Sequence, residues 1–551
     1  MRHPVGILVA GAGPAGLALA LQAHDHGGTV RVIDRRPEAF RLSRALIMHT
    51  RTLEVLRPLG VTDALLARAD ISPRADLHLG SGRVVRVGLA GLALPDTAFP
   101  HLTLIRQMDV EMVLTRALAS RGVEVERGTE LVSVCNGPAG VRAVLRSPAK
   151  VEEALFGFVA GCDGPASAVR AQAGIGWPGS AYPVEIVLAD AELDADLAAG
   201  TAHVVAGQQG LVLVFPLGER ATWRLLTTRP ACTGPLPFGQ LGPPVPVAEL
   251  QALLDRAGLD AQITGLAWSA RVKVQHRIAD QFRRGRLYLA GDAAHAYSPA
   301  TGQGMNAAIQ DAANLGWKLA FAGPESQHEA LLESYDHERR PVARQVLAMT
   351  HLAFWAEAAT GRLPSLMRGQ LAPLAAPLVP AVLSRRRLLA EGVRLVSQLR
   401  VSYRNSPLSV EAMPRPRTGL RAGDRLPDRT VRSAGRIVRL HELLARPGVH
   451  VLLERDADRP DTLPTGPLVH IHRLTSTPGR GLIAVRPDGH IGLRCQTADA
   501  DRLNAWLTLV GAGNPEPRRG RAACTRKGPQ STQAVVQSAH QLGPGLGGLP
   551  H

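Results

Sequence analysis

Three short segments, far apart in the chain, carry the residue types best suited to chemistry: Gly11-Ala12-Gly13-Pro14-Ala15-Gly16, Gly161-Cys162-Asp163-Gly164 and Gly291-Asp292-Ala293-Ala294-His295. In the first, glycine lets the chain turn sharply, lets a pyrophosphate approach bare backbone, and lets a helix pack against a strand. A helix starting at Pro14 would turn unpaired N–H groups and a positive dipole end toward phosphate. Asp34, with Arg35 beside it, stands about 20 residues on, where a carboxylate accepts from a ribose hydroxyl. Alone, this fingerprint serves FAD and NAD equally. The other two segments decide for FAD. Asp292 ends an apolar run where it can accept from a sugar-chain hydroxyl of an extended FAD. After it, Pro299-Ala300-Thr301-Gly302-Gln303-Gly304-Met305-Asn306 leads into a helix whose first N–H groups could meet a flavin's pyrimidine edge and stabilise negative charge there.

These residues need a particular frame. Val5 to Ala10 reads as a buried parallel strand, Pro14 to about His24 as a helix, and Thr29 to Ile33 as a second strand. Leu287 to Ala290 reads as another strand, and Ala307 to Leu319 continues the later helix. This is an α/β, Rossmann-like FAD-binding domain in pieces of roughly 1–75, 101–180 and 270–345. Strand-like alternation at Ala75 to Leu79, Val184 to Leu188, Leu211 to Phe215 and Thr222 to Thr227 predicts an inserted, mostly antiparallel β substrate domain, about 76–100 and 181–269, that roofs the flavin. Residues 346–412 read as a helical segment. A further domain is expected at 418–512, after the Pro/Arg-rich linker Met413 to Arg417. The 513–551 tail, rich in Gly, Pro, Gln, Ser and Arg, is expected to be disordered.

Further stretches carry a family resemblance. Ser43-Arg44-Ala45 with Arg51-Thr52-Leu53-Glu54, Arg106-Gln107-Met108-Asp109-Val110-Glu111, Asp163-Gly164 with Ser167 and Arg170, Trp317-Lys318-Leu319, and Tyr335-Asp336-His337-Glu338-Arg339-Arg340-Pro341 all stand in order along the chain. Together with the glycine segments they resemble the FAD-dependent aromatic hydroxylases of the para-hydroxybenzoate hydroxylase type, the group A flavoprotein monooxygenases. The resemblance implies cofactor contacts at Gly11, Gly13, Pro14, Ala15, Gly16, Asp34, Arg35, Arg44, Gln107, Asp163, Asp292, Gly304, Met305 and Asn306. It implies transient reduction by NADPH or NADH along the flavin cleft, then reaction with O2 to a flavin C4a-hydroperoxide that hydroxylates a phenolic or polyketide-like ring. Thr301 departs from the family's usual glycine. Arg421-Ala422-Gly423-Asp424-Arg425-Leu426-Pro427-Asp428, Val449 to Leu453, and Val485-Arg486-Pro487-Asp488-Gly489 resemble the thioredoxin-like C-terminal domain of the phenol hydroxylase subgroup, without a CxxC pair. A homodimer is a family expectation.

Substrate-side residues are expected among Leu46 to His49, Leu213 to Pro216, Trp223 and Tyr297 to Ala300. His49, Tyr297 and Pro299 are the catalytic candidates: a histidine can polarise a phenol, and a tyrosine can bond a substrate hydroxyl. His295 reads as structural, and Arg271 and Arg277 either attract a nicotinamide phosphate or make surface pairs. Two other readings use the same residues: a flavoprotein oxidase, dehydrogenase or halogenase, or a non-catalytic aromatic-ligand-binding flavoprotein. Against a halogenase, the six tryptophans (Trp177, Trp223, Trp268, Trp317, Trp355, Trp506) are never two apart.

Composition narrows the class. With 551 residues and 45% hydrophobic content, the chain can bury more than one core. The net charge of +16 comes from arginines spread along the chain, not from a basic stripe with aromatics, so nucleic acid is not expected as a partner. Five scattered cysteines without metal-ligand spacing read as reduced cytoplasmic thiols, with no metal. No secretion signal is expected. The longest apolar stretch, Leu371 to Leu383, is broken by prolines and ends at Arg385-Arg386-Arg387, so no membrane span is expected.

Overall fold

The computed structural model describes residues 5–39, 45–79, 84–198, 200–207, 210–217, 223–231, 242–298, 302–323, 328–358, 385–413, 419–458 and 466–512. The strand Val5–Ala10 lies at the centre of the first sheet, paired in parallel with Val30–Asp34 on one side and Val151–Gly161 on the other. Val125–Arg127 and Leu287–Leu289 extend the parallel set, and Arg283–Arg284 closes one edge. Three main-chain bonds carry the ladder past the strand ends: Gly11 N to Ile33 O and Cys162 N to Ala10 O, both 2.8 Å, and Ala290 N to Gly161 O, 3.0 Å. The three glycine segments therefore leave the sheet side by side. That is the edge where an open parallel sheet binds its ligand.

Both faces of this sheet are covered, so its strands read as continuous apolar runs instead of alternating ones. Leu8, Val9, Val32, Val159, Ala160 and Leu289 are fully buried. The helix Pro14–Asp25 packs against Gly304–Ala322 and Gln107–Ala119. Gly316 allows the first of these contacts, because a Cβ there would lie 2.8 Å from the Leu19 carbonyl oxygen.

The second sheet has eight strands in the order His295–Ala296, Ala261–Ile278, Gly179–Ala195, Trp223–Pro230, Gly210–Pro216, Thr201–Gly207, Arg74–Leu79 and Val84–Gly88. It is antiparallel except between Thr201–Gly207 and Arg74–Leu79. Its two longest strands exceed the short segments expected from the sequence, and Ala261–Ile278 runs on past residue 270 to pair with His295–Ala296. Side-chain alternation gives this sheet two apolar faces. Val187, Ala189, Val212, Val214, Trp223 and Leu225 pack under the helix Val247–Ala257, which contributes Leu250, Leu253 and Leu254 at helical spacing. Ile186, Leu188, Leu213, Phe215, Leu226, Val272 and Val274 face the other way, toward the first sheet's glycine segments.

The third sheet runs Val410–Glu411, Ile491–Cys495, Leu482–Val485, Val449–Glu454, Val469–Leu474, Thr430–Ser433 and Arg436–Arg439, followed by the helix Ala500–Leu509. All three sheets belong to one compact unit. The third is joined to the first by buried charge. Glu338, in the helix Glu329–Ala358, accepts from Arg486 Nη1 and Nη2 (2.6 and 2.7 Å), Lys318 Nζ (2.7 Å), Asn314 (2.7 Å) and Ser406 (2.5 Å). Arg486 also holds Asp488, whose main-chain carbonyl accepts from Arg51 at 2.6 Å. Beside this cluster, Glu54 accepts from Arg425 and Arg51. Burial opposes ionisation of Glu338, but Arg486 and Lys318 overcome it and bring its pKa down to about 2. The residues expected as one helical segment from 346 begin inside that same 30-residue helix, which continues through Pro341. Leu371 to Leu383, most of the Met413 to Arg417 linker and the 513–551 tail lie outside the described residues. Among those described, no helix is long and apolar enough to cross a membrane.

Removing one partner of a buried ion cluster leaves the others uncompensated. Glu338→Ala is expected to cost about 3–5 kcal/mol, read as a lower urea midpoint; a change within error would show that the cluster carries no stability. A pH effect follows from the histidines along the same seam. Burial pushes His26, His472 and His490 from 6.5 down to about 4. Unfolding lets them take up protons below 6.5, so their contribution is complete above that pH and is lost as pH falls through 4. The urea midpoint should already decline between pH 6.5 and 5, and a flat midpoint there would contradict the assignment.

Candidate active site

Between the glycine segments and the second sheet lies a cavity of about 680 Å³. Its floor is made by Gly11, Gly13, Pro14, Ala15, Asp34, Arg35, Gln107, Asp163, Asp292, Gly304 and Met305, and its roof by the apolar face described above. The sequence-predicted residues Gly16 and Asn306 are absent from this lining. Arg44, Pro299 and Thr301 lie outside the described residues.

The three glycines of the first turn do different work. Gly11 has φ +104°, and a Cβ there would sit 2.3 Å from the Cys162 carbonyl oxygen. Gly16 presses on Gly11, with 1.8 Å left for a Cβ beside the Gly11 oxygen. Gly13 has nothing within 4 Å of its Cβ position and faces the cavity. Two glycines thus close the turn, and the third leaves a bare approach to the N-terminus of the helix Pro14–Asp25.

Asp34 is nearly buried and well partnered: Ala12 N donates to Oδ2 at 2.9 Å, and Arg36 donates from its main chain and its guanidinium. Burial works to raise its pKa, but the Arg36 bonds hold it below the ordinary range. Asp163 Oδ2 accepts from Ala168 N at 2.7 Å and Val169 N at 3.2 Å, so its carboxylate caps a short helix as well as lining the cavity. Arg170 in that helix ties two motifs together, donating to Ala293 O at 2.8 Å and Pro165 O at 2.6 Å. Arg277 is held by Trp177 O at 2.8 Å. Asp292 sits in a single 3₁₀ turn on the cavity wall, and no hydrogen bond links its carboxylate to another described residue.

The Asp292 turn is fixed from behind. Asp311, fully buried, accepts from Gly291 N at 3.1 Å, His295 Nε2 at 2.5 Å and Arg339 Nε at 2.7 Å. Burial opposes its charge, but His295 and Arg339 keep its pKa below the ordinary value. Tyr297 stacks on His295 at 4.6 Å between ring centroids, and its buried hydroxyl has no partner among the described residues. Burial raises that phenol well above its ordinary pKa, so it is a neutral donor.

Several expectations change here. Asn306 uses its whole amide within the protein: Oδ1 accepts from His49 N and Thr52 Oγ1, and Nδ2 donates to Ile47 O and Gly302 O. Only its backbone N–H, in the first turn of the helix, remains for a ligand. His49 is 1% exposed, precedes the helix Thr50–Leu56 and is not among the described residues that line the cavity. Trp223 belongs to the core on the far side of the roof, because alternation along its strand turns it away from Leu226. Sequence reasoning missed Asp311 and the role of Glu111, a buried carboxyl on the cavity wall. Asp311 leaves no local signal, since its partners are distant in sequence. The repeat Gln107, Glu111, Leu114, Leu118 would have placed Glu111 on the buried helix face.

The wall fits an extended, anionic, hydroxyl-bearing dinucleotide. The open Gly13 backbone and helix N-terminus suit a pyrophosphate, the unpartnered Asp292 carboxylate suits a hydroxyl, and the helix start at Gly304 suits an electron-rich ring edge. A family model described as FAD binding domain matches residues 4–350. The chain is 35% identical over 410 residues to 6-methylpretetramide 4-monooxygenase of Streptomyces rimosus, covering 73% of this chain and 71% of that protein. It is 30% identical over 512 residues to a flavin-dependent monooxygenase of Mycobacteroides abscessus, covering 89% and 97%. The solved anhydrotetracycline hydroxylase of Streptomyces rimosus superposes with a TM-score of 0.71 at 28% identity, over 94% of this chain and 100% of that one.

Asp292→Ala is expected to weaken FAD binding about tenfold or more while leaving the fold intact, measured by flavin content after dialysis and by circular dichroism. Full flavin retention would show that Asp292 makes no cofactor contact. Gly13→Val, which fills the open approach, should prevent flavin binding altogether.

Proposed function

The chain belongs to the FAD binding domain family and is an FAD-dependent aromatic monooxygenase; from that premise we propose that its substrate is a polycyclic phenol of polyketide type, held against the roof sheet. The observation that carries this finer reading is the breadth of the apolar roof. Ile186, Leu188, Leu226, Leu213 and Phe215 span three neighbouring strands, with Leu188, Leu226 and Leu213 in one cross-strand row. Such a row suits a flat fused-ring ligand better than a single ring.

When bound, FAD supplies the hydride acceptor for NAD(P)H and the centre that activates O2. The chain supplies the rest. In this reading Gly13 and the first N–H groups of the helix Pro14–Asp25 hold the pyrophosphate, and Asp34 accepts from the adenosine ribose once Arg36 shifts aside. Asp292 accepts from the sugar chain. The N–H groups of Gly304, Met305 and Asn306 support negative charge at the pyrimidine edge. The roof excludes water, which strengthens each of these contacts and protects the reacting centre from hydrolysis. Tyr297, neutral and unpartnered, is the side chain best suited to donate to a substrate oxygen or to orient a neighbouring group. The residue order implies a discontinuous FAD-binding domain, an inserted substrate sheet and a C-terminal domain. For the last, a parallel pair Val449–Glu454 and Val469–Leu474, with Leu482–Val485 and Ile491–Cys495 antiparallel beside it and a helix after, supports the thioredoxin-like reading.

The test is NAD(P)H consumption and peroxide release by the FAD-loaded protein with monocyclic phenols and with fused-ring phenols. Fused-ring compounds are expected to stimulate consumption at least tenfold more than single-ring ones, with a product one oxygen heavier and little peroxide. Equal or greater stimulation by simple phenols would overturn the polycyclic assignment. Phe215→Ala should raise KM for the fused-ring substrate with a smaller change in kcat, the pattern of lost uniform binding.

A further inference from the structure

Glu111 is a carboxyl group in an unusual position. It lies in the helix Gln107–Ala119, is 2% exposed, and yet forms part of the cavity wall beside Asp34, Arg36 and Gln107. Its Oε1 accepts from Gln107 Nε2 at 2.9 Å, whereas Oε2 is buried with no hydrogen-bond partner. An isolated buried carboxylate oxygen is costly, and a second donor among its neighbours would be expected if the group were ionised. Arg36 bonds Asp34; Arg127 lies 3.7 Å from Asp34, and although its own buried Nη1 has no hydrogen-bond partner, it makes no bond to Glu111.

We propose that Glu111 is a cofactor-binding acid, whose Oε2–H donates a hydrogen bond to an acceptor oxygen in the adenosine half of FAD. This rests on the FAD reading and assigns a new contact within it. The charged groups facing Glu111 are Arg36 and Arg127, which favour its anion, and Asp34, which disfavours it; burial is the largest influence and raises its pKa. A protonated acid here has two uses. It can serve Gln107 through Oε1 and a ligand acceptor through Oε2, a combination that neither a carboxylate nor an apolar side chain provides. It also avoids placing a second buried anion beside Asp34 and the pyrophosphate, where like charges would repel. Position ties the contact to the adenosine end, because its charged neighbours are Asp34 and the two arginines around it.

The experiment compares wild type, E111Q and E111A as apoproteins titrated with FAD at pH 8 by flavin fluorescence. Glutamine keeps a neutral donor at the same place, so E111Q should bind FAD within about threefold of wild type, and E111A about tenfold or more weakly. The infrared spectrum of the wild-type holoprotein should contain a protonated carboxylic acid band that shifts with ¹³C-glutamate labelling and is missing in E111Q. If E111Q is as weak as a folded E111A, or if E111A binds as tightly as wild type, the donor role is overturned. If E111A does not fold, the E111Q affinity and the infrared band decide, and absence of the band overturns the proposal. Failure of the wild-type protein to bind FAD would instead refute the cofactor reading beneath it.

Discussion

Asp311 has no solvent contact, and three donors share its two oxygens: the Gly291 main chain, His295 and Arg339. A charge so deep is tolerated only when donors surround it, so each partner is fixed in place by the need to satisfy the others. The constraint spreads along the helix Glu329–Ala358. Tyr335 donates to Leu289 O at 2.7 Å, Asp336 accepts from Phe282 N at 2.7 Å, Glu338 gathers the third sheet, and Arg339 reaches both Asp311 and Tyr403. The stretch from Tyr335 to Arg340 is therefore a set of pins. Tyr335, Asp336, Glu338 and Arg339 each fasten a different element to this helix, and none of the four lines the cavity.

The roof obeys a different rule. Its sheet is apolar on both sides; the helix Val247–Ala257 covers one, and at one end of the other His351 of the helix Glu329–Ala358 stacks on Tyr182. Ile186, Leu188, Leu213, Phe215 and Leu226 of that second side face the cavity. At about 25 cal/mol per Å² of apolar surface, a flat apolar ligand covering that face gains affinity from area alone. The few polar groups of the floor then fix how it lies.

Local pattern made the floor legible and left its bracing hidden. Glycine spacing, apolar runs and the first residues of a helix are short-range signals, and the strands and helices around Gly11, Asp163 and Asp292 follow from them. Which polar side chain faces a ligand is not a short-range property. Asn306 stands at a helix start and reads as a ligand contact, but its amide is taken by His49, Thr52, Ile47 and Gly302, most of them some 250 residues away along the chain. His49 is drawn into the same arrangement by its backbone. Thr301 and Pro299 carry no structural account, since they lie outside the described residues.

The seam between the first and third sheets joins residues far apart in the chain: Arg51 bonds the Asp488 carbonyl across 437 positions, and Arg425 meets Glu54 across 371. Synthesis runs from the N-terminus, so during translation the glycine turn, its strand and its helix emerge long before the groups that neutralise Glu54 and cap Arg51. Until then the flank has only the local Arg51–Glu54 pair, and the second partner of each arrives with Arg425 and Asp488, contacts of high sequence separation that form late. A chain cut short before residue 425 would leave the buried Glu54 with Arg51 as its one cationic partner.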